Sequence, residues 1–254
     1  MSLRPRIIPV LLLHKGGLVK TVKFNRPTYV GDPINAVKIF NEKEVDELVV
    51  LDIDAFAKKD EPDYVKIKEI VSEAFMPIGY GGGITNFEQA CKLFQMGIEK
   101  VIINAALFQN IGLIRQIADT YGNQSVVASI DYKKTLLGGN KVFYKNGTVN
   151  AKTGPLEWAE EVACAGAGEI IINSIDRDGT YTGYDLDLLK HVSQKVKIPV
   201  VVCGGASSVE DFKLAYQHGA SGMAAGSMFV FQQPHRAVLI SYPTQKELKE
   251  KLYT

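Results

Sequence analysis

Two stretches decide the fold: Met76-Pro-Ile-Gly-Tyr-Gly-Gly-Gly83 and Ile198-Pro-Val-Val-Val-Cys-Gly-Gly205. Each is a short apolar run closing on glycines, and Pro77 and Pro199 stand 122 positions apart. The same offset carries Glu47 to Glu169, Asp54 to Asp176, Gly82-Gly83 to Gly204-Gly205 and Gly97 to Gly219. With a small gap the first run aligns too, Leu12 falling on Asp131 at an offset of 119. Self-similarity at half the chain length marks two similar halves, about 1–122 and 123–254.

Outward from these stretches, eight apolar or β-branched runs alternate with helical segments. They are Arg6 to Leu12, Leu48 to Ile53, Met76 to Tyr80, Lys100 to Asn104, Ser125 to Asp131, Glu169 to Ser174, Ile198 to Cys203 and Gly222 to Gly226. Runs apolar on both faces and joined by helices predict a parallel sheet covered by helices. Eight such units in 254 residues predict a closed (β/α)8 TIM barrel of two half-barrels, with an open doubly wound sheet as the alternative. No linker divides the chain, so a single domain over 1–254 is expected. The longest insertion, Lys133 to Asn150, carries a hairpin signal at Asn146-Gly147.

Composition narrows the function. With 29 Lys and Arg against 28 Asp and Glu, interspersed rather than blocked, the chain carries no field for nucleic acid or an anionic membrane. Cys91, Cys164 and Cys203 are odd in number and far apart, with no Cys or His at a metal-ligand spacing. That pattern fits a reducing cytosol, so a cytoplasmic protein without a metal or organic cofactor is expected. The apolar run Ile7 to Leu13 is broken by Pro9 and ends at His14 and Lys15, which fits neither a signal peptide nor a membrane span.

In such a barrel the active site lies at the C-terminal strand ends. Gly81-Gly-Gly83 and Gly204-Gly205 close runs three and seven, while Asn104-Ala105 and Gly226-Ser227 close runs four and eight. Small residues let backbone N–H groups approach an anion, so each half is a candidate phosphate cradle: Gly82, Gly83, Asn104 and Ala105 in one, Gly204, Gly205, Gly226 and Ser227 in the other, with Gly179 nearby. A tight strand-to-helix turn explains one glycine pair equally well; duplication favours a ligand with a phosphate at each end. Acids at this rim are Asp52, Asp54, Asp131, Asp176 and Asp178. Asp131, closing run five, points at the ligand's middle and is the candidate general acid-base group. Asp178 is placed to orient a hydroxyl or a base, although capping and turn formation also account for it.

At the opposite end, Arg6, Glu47, Lys100 and Glu169 stand at the starts of runs one, two, four and six. If they point inward they must pair, because unpaired buried charges are costly. Such a ring is either a structural plug or a gate to something docked beneath. Among the histidines only His14 lies near the catalytic rim, and Trp158 reads as packing.

Arg6-Ile-Ile-Pro, Gly16-Gly-Leu-Val-Lys20, Gly31-Asp-Pro33, Asp46-Glu-Leu48, Gly81-Gly-Gly-Ile84, Gly166-Ala-Gly-Glu169, Ser174-Ile-Asp-Arg-Asp-Gly-Thr180 and Gly183-Tyr-Asp185 together resemble one family, the imidazole glycerol phosphate synthase cyclase subunits, HisF. The resemblance runs from Arg6 to about Phe231. It implies a barrel that receives ammonia from a glutaminase subunit docked at its N-terminal face and uses it to split and cyclise a bis-phosphorylated ribulosyl nucleotide. It also implies roles: catalysis at Asp131, at Lys20 on a flexible loop and at Asp178, phosphate binding at the glycine loops, and an ammonia gate of Arg6, Glu47, Lys100 and Glu169.

One departure matters. The family closes its first strand on Cys-Leu-Asp, and that aspartate is the partner acid of the Asp131 position; here Val10-Leu-Leu12-Leu-His14 puts Leu12 there. Loss of a positioned acid-base group generally costs about 10² to 10⁴ in rate. The stretch Leu11 to Phe24, with Tyr80, resembles a paralogous branch of surface-polysaccharide pathways, which implies a barrel working with a glutaminase and a separate amidotransferase in making acetamidino groups on sugars. Three readings therefore stand: an ammonia-dependent cyclase and lyase, a barrel that delivers ammonia without cyclising, and a related phosphosugar isomerase, against which the Glu47, Lys100 and Glu169 set argues. A small bis-phosphate or phospho-sugar ligand is expected in each.

Overall fold

The computed structural model describes residues 4–55, 61–135, 138–232, 235 and 237–253. Eight strands form the barrel: β1 (Arg6–His14), β2 (Leu48–Asp52), β3 (Ile78–Gly81), β4 (Lys100–Ile103), β5 (Val126–Lys134), β6 (Glu169–Ser174), β7 (Val200–Cys203) and β8 (Gly222–Ala225). Each pairs in parallel with its sequence neighbours, β8 with β1, and β5 with β6 through six register pairs from Glu169↔Val127 to Ser174↔Tyr132, so the sheet closes without an edge. The (β/α)8 barrel read from the sequence is the fold.

Strand alternation splits the apolar residues into two cores. Ile8, Val49, Ile102, Val127, Ile171, Val201 and Ala224 fill the barrel axis, while their sequence neighbours pack outward against the helices. The helices α1 (Pro33–Glu42), α2 (Tyr64–Glu73), α3 (Phe87–Gln95), α4 (Gly112–Tyr121), α5 (Pro155–Ala165), α6 (Leu186–Lys195) and α7 (Val209–Gln217), with α8 (Ser227–Val230) and α9 (Gln245–Lys251) after β8, make this outer layer. Asp32 starts α1 by accepting the Asn35 N–H at 3.0 Å, with Pro33 in the first turn where its missing N–H costs nothing. Trp158 stacks on Phe108 with ring centroids 4.4 Å apart, a packing role.

Two strands are longer than their sequence reading. β1 continues past Leu12 to His14, and β5 continues past Asp131 to Lys134, so Asp131 lies within a strand rather than at its end. Both extensions carry antiparallel hairpins. From β5 the insertion returns as Asn140–Tyr144, with Asp131 opposite Phe143, and turns at Asn146-Gly147 into Val149–Asn150. From β1 the chain returns as Gly17–Val22 and Asn25–Gly31, a hairpin with no Asn-Gly signal. Its two-residue turn, Lys23-Phe24, takes φ of 53° and 60°, values that glycine or asparagine normally supplies. The tips cross the barrel mouth in opposite senses. Lys23 N–H donates to the Asp178 carbonyl at 3.0 Å beyond β6, and the Asn146 amide donates to the Ile53 carbonyl at 2.9 Å beyond β2.

Candidate active site at the barrel mouth

A cavity of about 240 Å³ opens between the two hairpins at the C-terminal strand ends. Its floor is made by the last inward-facing residues of the strands, and the two halves differ there. Leu12 and Leu51, in register on β1 and β2, form an apolar wall. The positions matching them in the second half carry Asp131 and Asn173, in register on β5 and β6. The duplication is therefore polar on one side only.

Asp131 is held by two amides. The Asn173 side chain donates to Oδ1 and the Asn104 side chain to Oδ2, each at 3.0 Å, and the Asn104 amide also reaches the Ser129 carbonyl at 3.1 Å. Burial raises the Asp131 carboxyl, with a contribution from Asp178, and the two amides only partly counter it, leaving it at about 7. A carboxyl poised there can take or give a proton near neutral pH. Leu12 does neither.

Lys20 comes from the first hairpin, on a paired strand, and is only 4% exposed. Its ammonium donates to the Val10 carbonyl and lies beside Gly226. Burial pulls it down to about 8, against the opposing pull of Asp178 and Cys203. Asp178 fastens the same hairpin: its Oδ2 accepts the Thr21 hydroxyl at 2.7 Å and the Phe24 N–H at 3.2 Å. Burial raises Asp178, while Thr21, Phe24 and Lys20 pull it back. Cys203 faces the cavity from β7, its thiol pushed up to about 12 by burial and then by Asp178, so at neutral pH it is protonated. His14 is held at the rim by Asp54, with Nδ1 and Oδ1 2.6 Å apart, outside the cavity lining.

The two glycine loops repeat one geometry. A Cβ on Gly82 would stand 2.5 Å from the Asp52 carbonyl oxygen, and one on Gly204 would stand 2.7 Å from that of Ser174, the matching position. Close backbone passage thus requires glycine in both halves whether or not an anion binds. Asn104 and Gly226 also share a conformation, with φ, ψ of −127°, −87° and −108°, −74° before short helical turns. Their surroundings differ. Gly82, Gly83, Asn104 and Ala105 are partly exposed and line the cavity, whereas Gly204, Gly205 and Ser227 are buried and only Gly226 of that set reaches it. Gly179 lies against the Thr21 carbonyl, which a Cβ there would approach to 2.3 Å.

At the base, Arg6, Glu47, Lys100 and Glu169 close a ring. Arg6 bonds Glu47 and, at 2.8 Å, Glu169; Lys100 donates to Glu47 at 2.9 and 3.0 Å and to Glu169 at 3.1 Å. Burial lowers Arg6, but Glu169 and Glu47 more than offset this and hold it above its ordinary value. Two cations and two anions cancel beneath the apolar axis.

Sequence reading missed Asn173, Leu51, Thr21 and Lys145 as cavity residues. Asn173 had a signal, as a lone amide in Ile170-Ile-Ile-Asn-Ser174 at the strand's inward phase. Among the described residues no group of three or more His, Cys, Asp or Glu could hold a metal ion, and no helix is long and apolar enough to cross a membrane.

A family model described as histidine biosynthesis protein matches residues 6–234. A Pseudomonas aeruginosa chain provisionally named imidazole glycerol phosphate synthase subunit hisF2 is 55% identical over 246 residues, 96% of this chain and 98% of the relative. A Leptospira interrogans chain, provisionally named the HisF subunit, is 49% identical over 253 residues, 99% of each. The Natranaerobius thermophilus imidazole glycerol phosphate synthase subunit HisF is 38% identical over 251 residues, 98% of this chain and all of the relative. A likeness of this extent, end to end along the barrel that carries the basal ring and the mouth cavity, makes the chain a member of the HisF family of imidazole glycerol phosphate synthase subunits.

Proposed function

We propose that this chain is the ammonia-accepting barrel of a glutamine amidotransferase, paired as a heterodimer with a glutaminase subunit on its N-terminal face. Its product is delivered ammonia for acetamidino-sugar synthesis by a separate cytoplasmic amidotransferase. One observation carries the reading: the ring of Arg6, Glu47, Lys100 and Glu169 is complete, while the mouth faces Asp131 with Leu12 and Leu51. The apolar axis favours neutral ammonia over ammonium, because a bare cation there would be uncompensated.

A second reading is the genuine cyclase and lyase of histidine biosynthesis. It is favoured by Asp131, poised near neutrality, with Lys20 and Asp178 as its catalytic neighbours and the glycine loops binding phosphate. The phosphosugar isomerase of related ancestry has no use for the basal ring.

The test of the primary reading is coupling to a glutaminase. Glutamine hydrolysis by the glutaminase subunit of imidazole glycerol phosphate synthase should rise when the barrel is added and co-elute with it. Lys100→Met and Glu169→Gln should weaken that coupling. A glutaminase indifferent to the barrel would refute the proposal.

A further inference from the structure

Lys20 is buried with little to hold its charge. It reaches the wall of the mouth cavity from the first hairpin, and its ammonium donates to the Val10 carbonyl, a neutral acceptor. Asp178 attracts that charge from the same lining, yet among the described residues no carboxylate forms an ion pair with Lys20. Burial therefore wins and favours the neutral amine. A neutral amine in an apolar site is a nucleophile, and desolvation is one of the ways a lysine is activated. The rest of the lining suits that chemistry. Leu12 and Leu51 are apolar, and Asp131 and Asp178 are carboxyls that burial raises toward the protonated form. Cys203, in the same lining, stays a thiol at neutral pH and does not compete. An amine that keeps one N–H on Val10 retains its lone pair and a second hydrogen for reaction.

We infer that Lys20 is an imine-forming nucleophile and that the mouth cavity takes a small hydroxy-aldehyde. The Lys20 nitrogen adds to the carbonyl carbon, forming the C–N bond, and the former carbonyl oxygen leaves as water. That water carries one hydrogen from the nitrogen and one from Asp131. The product is a protonated imine accompanied by an Asp131 carboxylate, so charge balances and nothing is oxidised or reduced. A cavity of about 240 Å³ limits the aldehyde to a small one, and its lining by Asn104 and Asn173 offers hydrogen bonds to a hydroxyl. The inference goes beyond ammonia delivery and does not depend on it.

Reductive trapping of the full chain tests this. The protein is incubated with glycolaldehyde and sodium cyanoborohydride, which reduces an imine to a stable secondary amine, and the modified lysines are mapped by mass spectrometry. Near neutral pH, Lys20 should be labelled at least tenfold faster than Lys145, which lines the same cavity but is more exposed. The Lys20 rate should rise with pH and level off above about 8, where its amine is neutral. Asp131→Asn, which keeps the shape but cannot supply the proton, should slow Lys20 at least tenfold and leave Lys145 unchanged. Lys20→Met should remove the fast site without creating another. Equal rates at Lys20 and Lys145, a folded chain unlabelled at Lys20, or an Asp131→Asn variant labelled at the wild-type rate would overturn the inference. The assay contains no glutaminase and no ammonium salt, so its outcome is separate from that of the ammonia-delivery reading.

Discussion

Replacing Asp131 by asparagine should make the protein more stable, and increasingly so as pH rises. Burial holds the Asp131 carboxyl at about 7, against ~3.9 for an aspartate in an unfolded chain. Between those values the native chain keeps a proton that the unfolded chain has lost, so native stability falls as pH rises from about 4 to about 7. Each pH unit in that interval is worth about 1.4 kcal/mol, so roughly 3 kcal/mol is lost from pH 5 to pH 7. An asparagine cannot ionise and avoids this loss, and the Asn173 amide, which now donates to Oδ1, can turn over to accept from the new side chain. Urea denaturation of both proteins at half-unit pH steps reads the effect. The stability gap between variant and wild type should widen by about 3 kcal/mol from pH 5 to pH 7, or roughly 6 to 12 °C in Tm for a chain of this size, and level off above pH 7. A gap that stays flat, or narrows with rising pH, would refute the account of Asp131 as a buried, amide-clamped acid.

Other outcomes follow from the same geometry. Thr21→Val removes the 2.7 Å bond to Asp178 and should speed amide exchange at Lys23 and Phe24, with about 1.5 to 3 kcal/mol lost locally; unchanged exchange would mean that Asp178 does not fasten the hairpin. Lys100→Met leaves Glu47 and Glu169 sharing Arg6 alone and should lower stability by about 1 to 3 kcal/mol, below the usual loss for a fully buried pair because the Lys100 side chain is 18% exposed. A double-mutant cycle with Glu47→Gln measures that coupling. Lys20→Met should raise stability at pH 7 relative to pH 9.5. Native Lys20 titrates at about 8, below ~10.4 for the unfolded chain, so the buried ammonium is least tolerated at low pH. A change in stability that is equal at both pH values would contradict this.

The barrel was legible because its signals are local and repeated. A run such as Ile198 to Cys203 is apolar on both faces, and its counterpart Met76 to Tyr80 ends on the same glycines. The basal ring was legible for a related reason: Arg6, Lys100 and Glu169 each open an inward-phased strand, and charges at such positions have only one another to pair with. The first hairpin was not, because its Lys23-Phe24 turn holds positive φ through tertiary bonds to Asp178 rather than through its own residue types. The second hairpin was, because Asn146-Gly147 supplies that conformation locally. The two glycine loops read alike since the close approach to Asp52 and to Ser174 demands glycine in each. Their difference in exposure comes from contacts distant in sequence: Gly183 packs on Gly205, and the Tyr181 hydroxyl reaches the Ser227 carbonyl.

The account's central claim is that Leu12 has separated ammonia delivery from cyclisation. The most direct test is turnover of the bis-phosphorylated ribulosyl nucleotide by the purified chain in concentrated ammonium salt, beside Leu12→Asp and Asp131→Asn. External ammonia removes any dependence on a glutaminase. The account predicts no turnover by the folded wild type and measurable turnover by Leu12→Asp. Wild-type turnover at ~1 to 10³ per second, abolished by Asp131→Asn, would contradict it and make the chain a true cyclase.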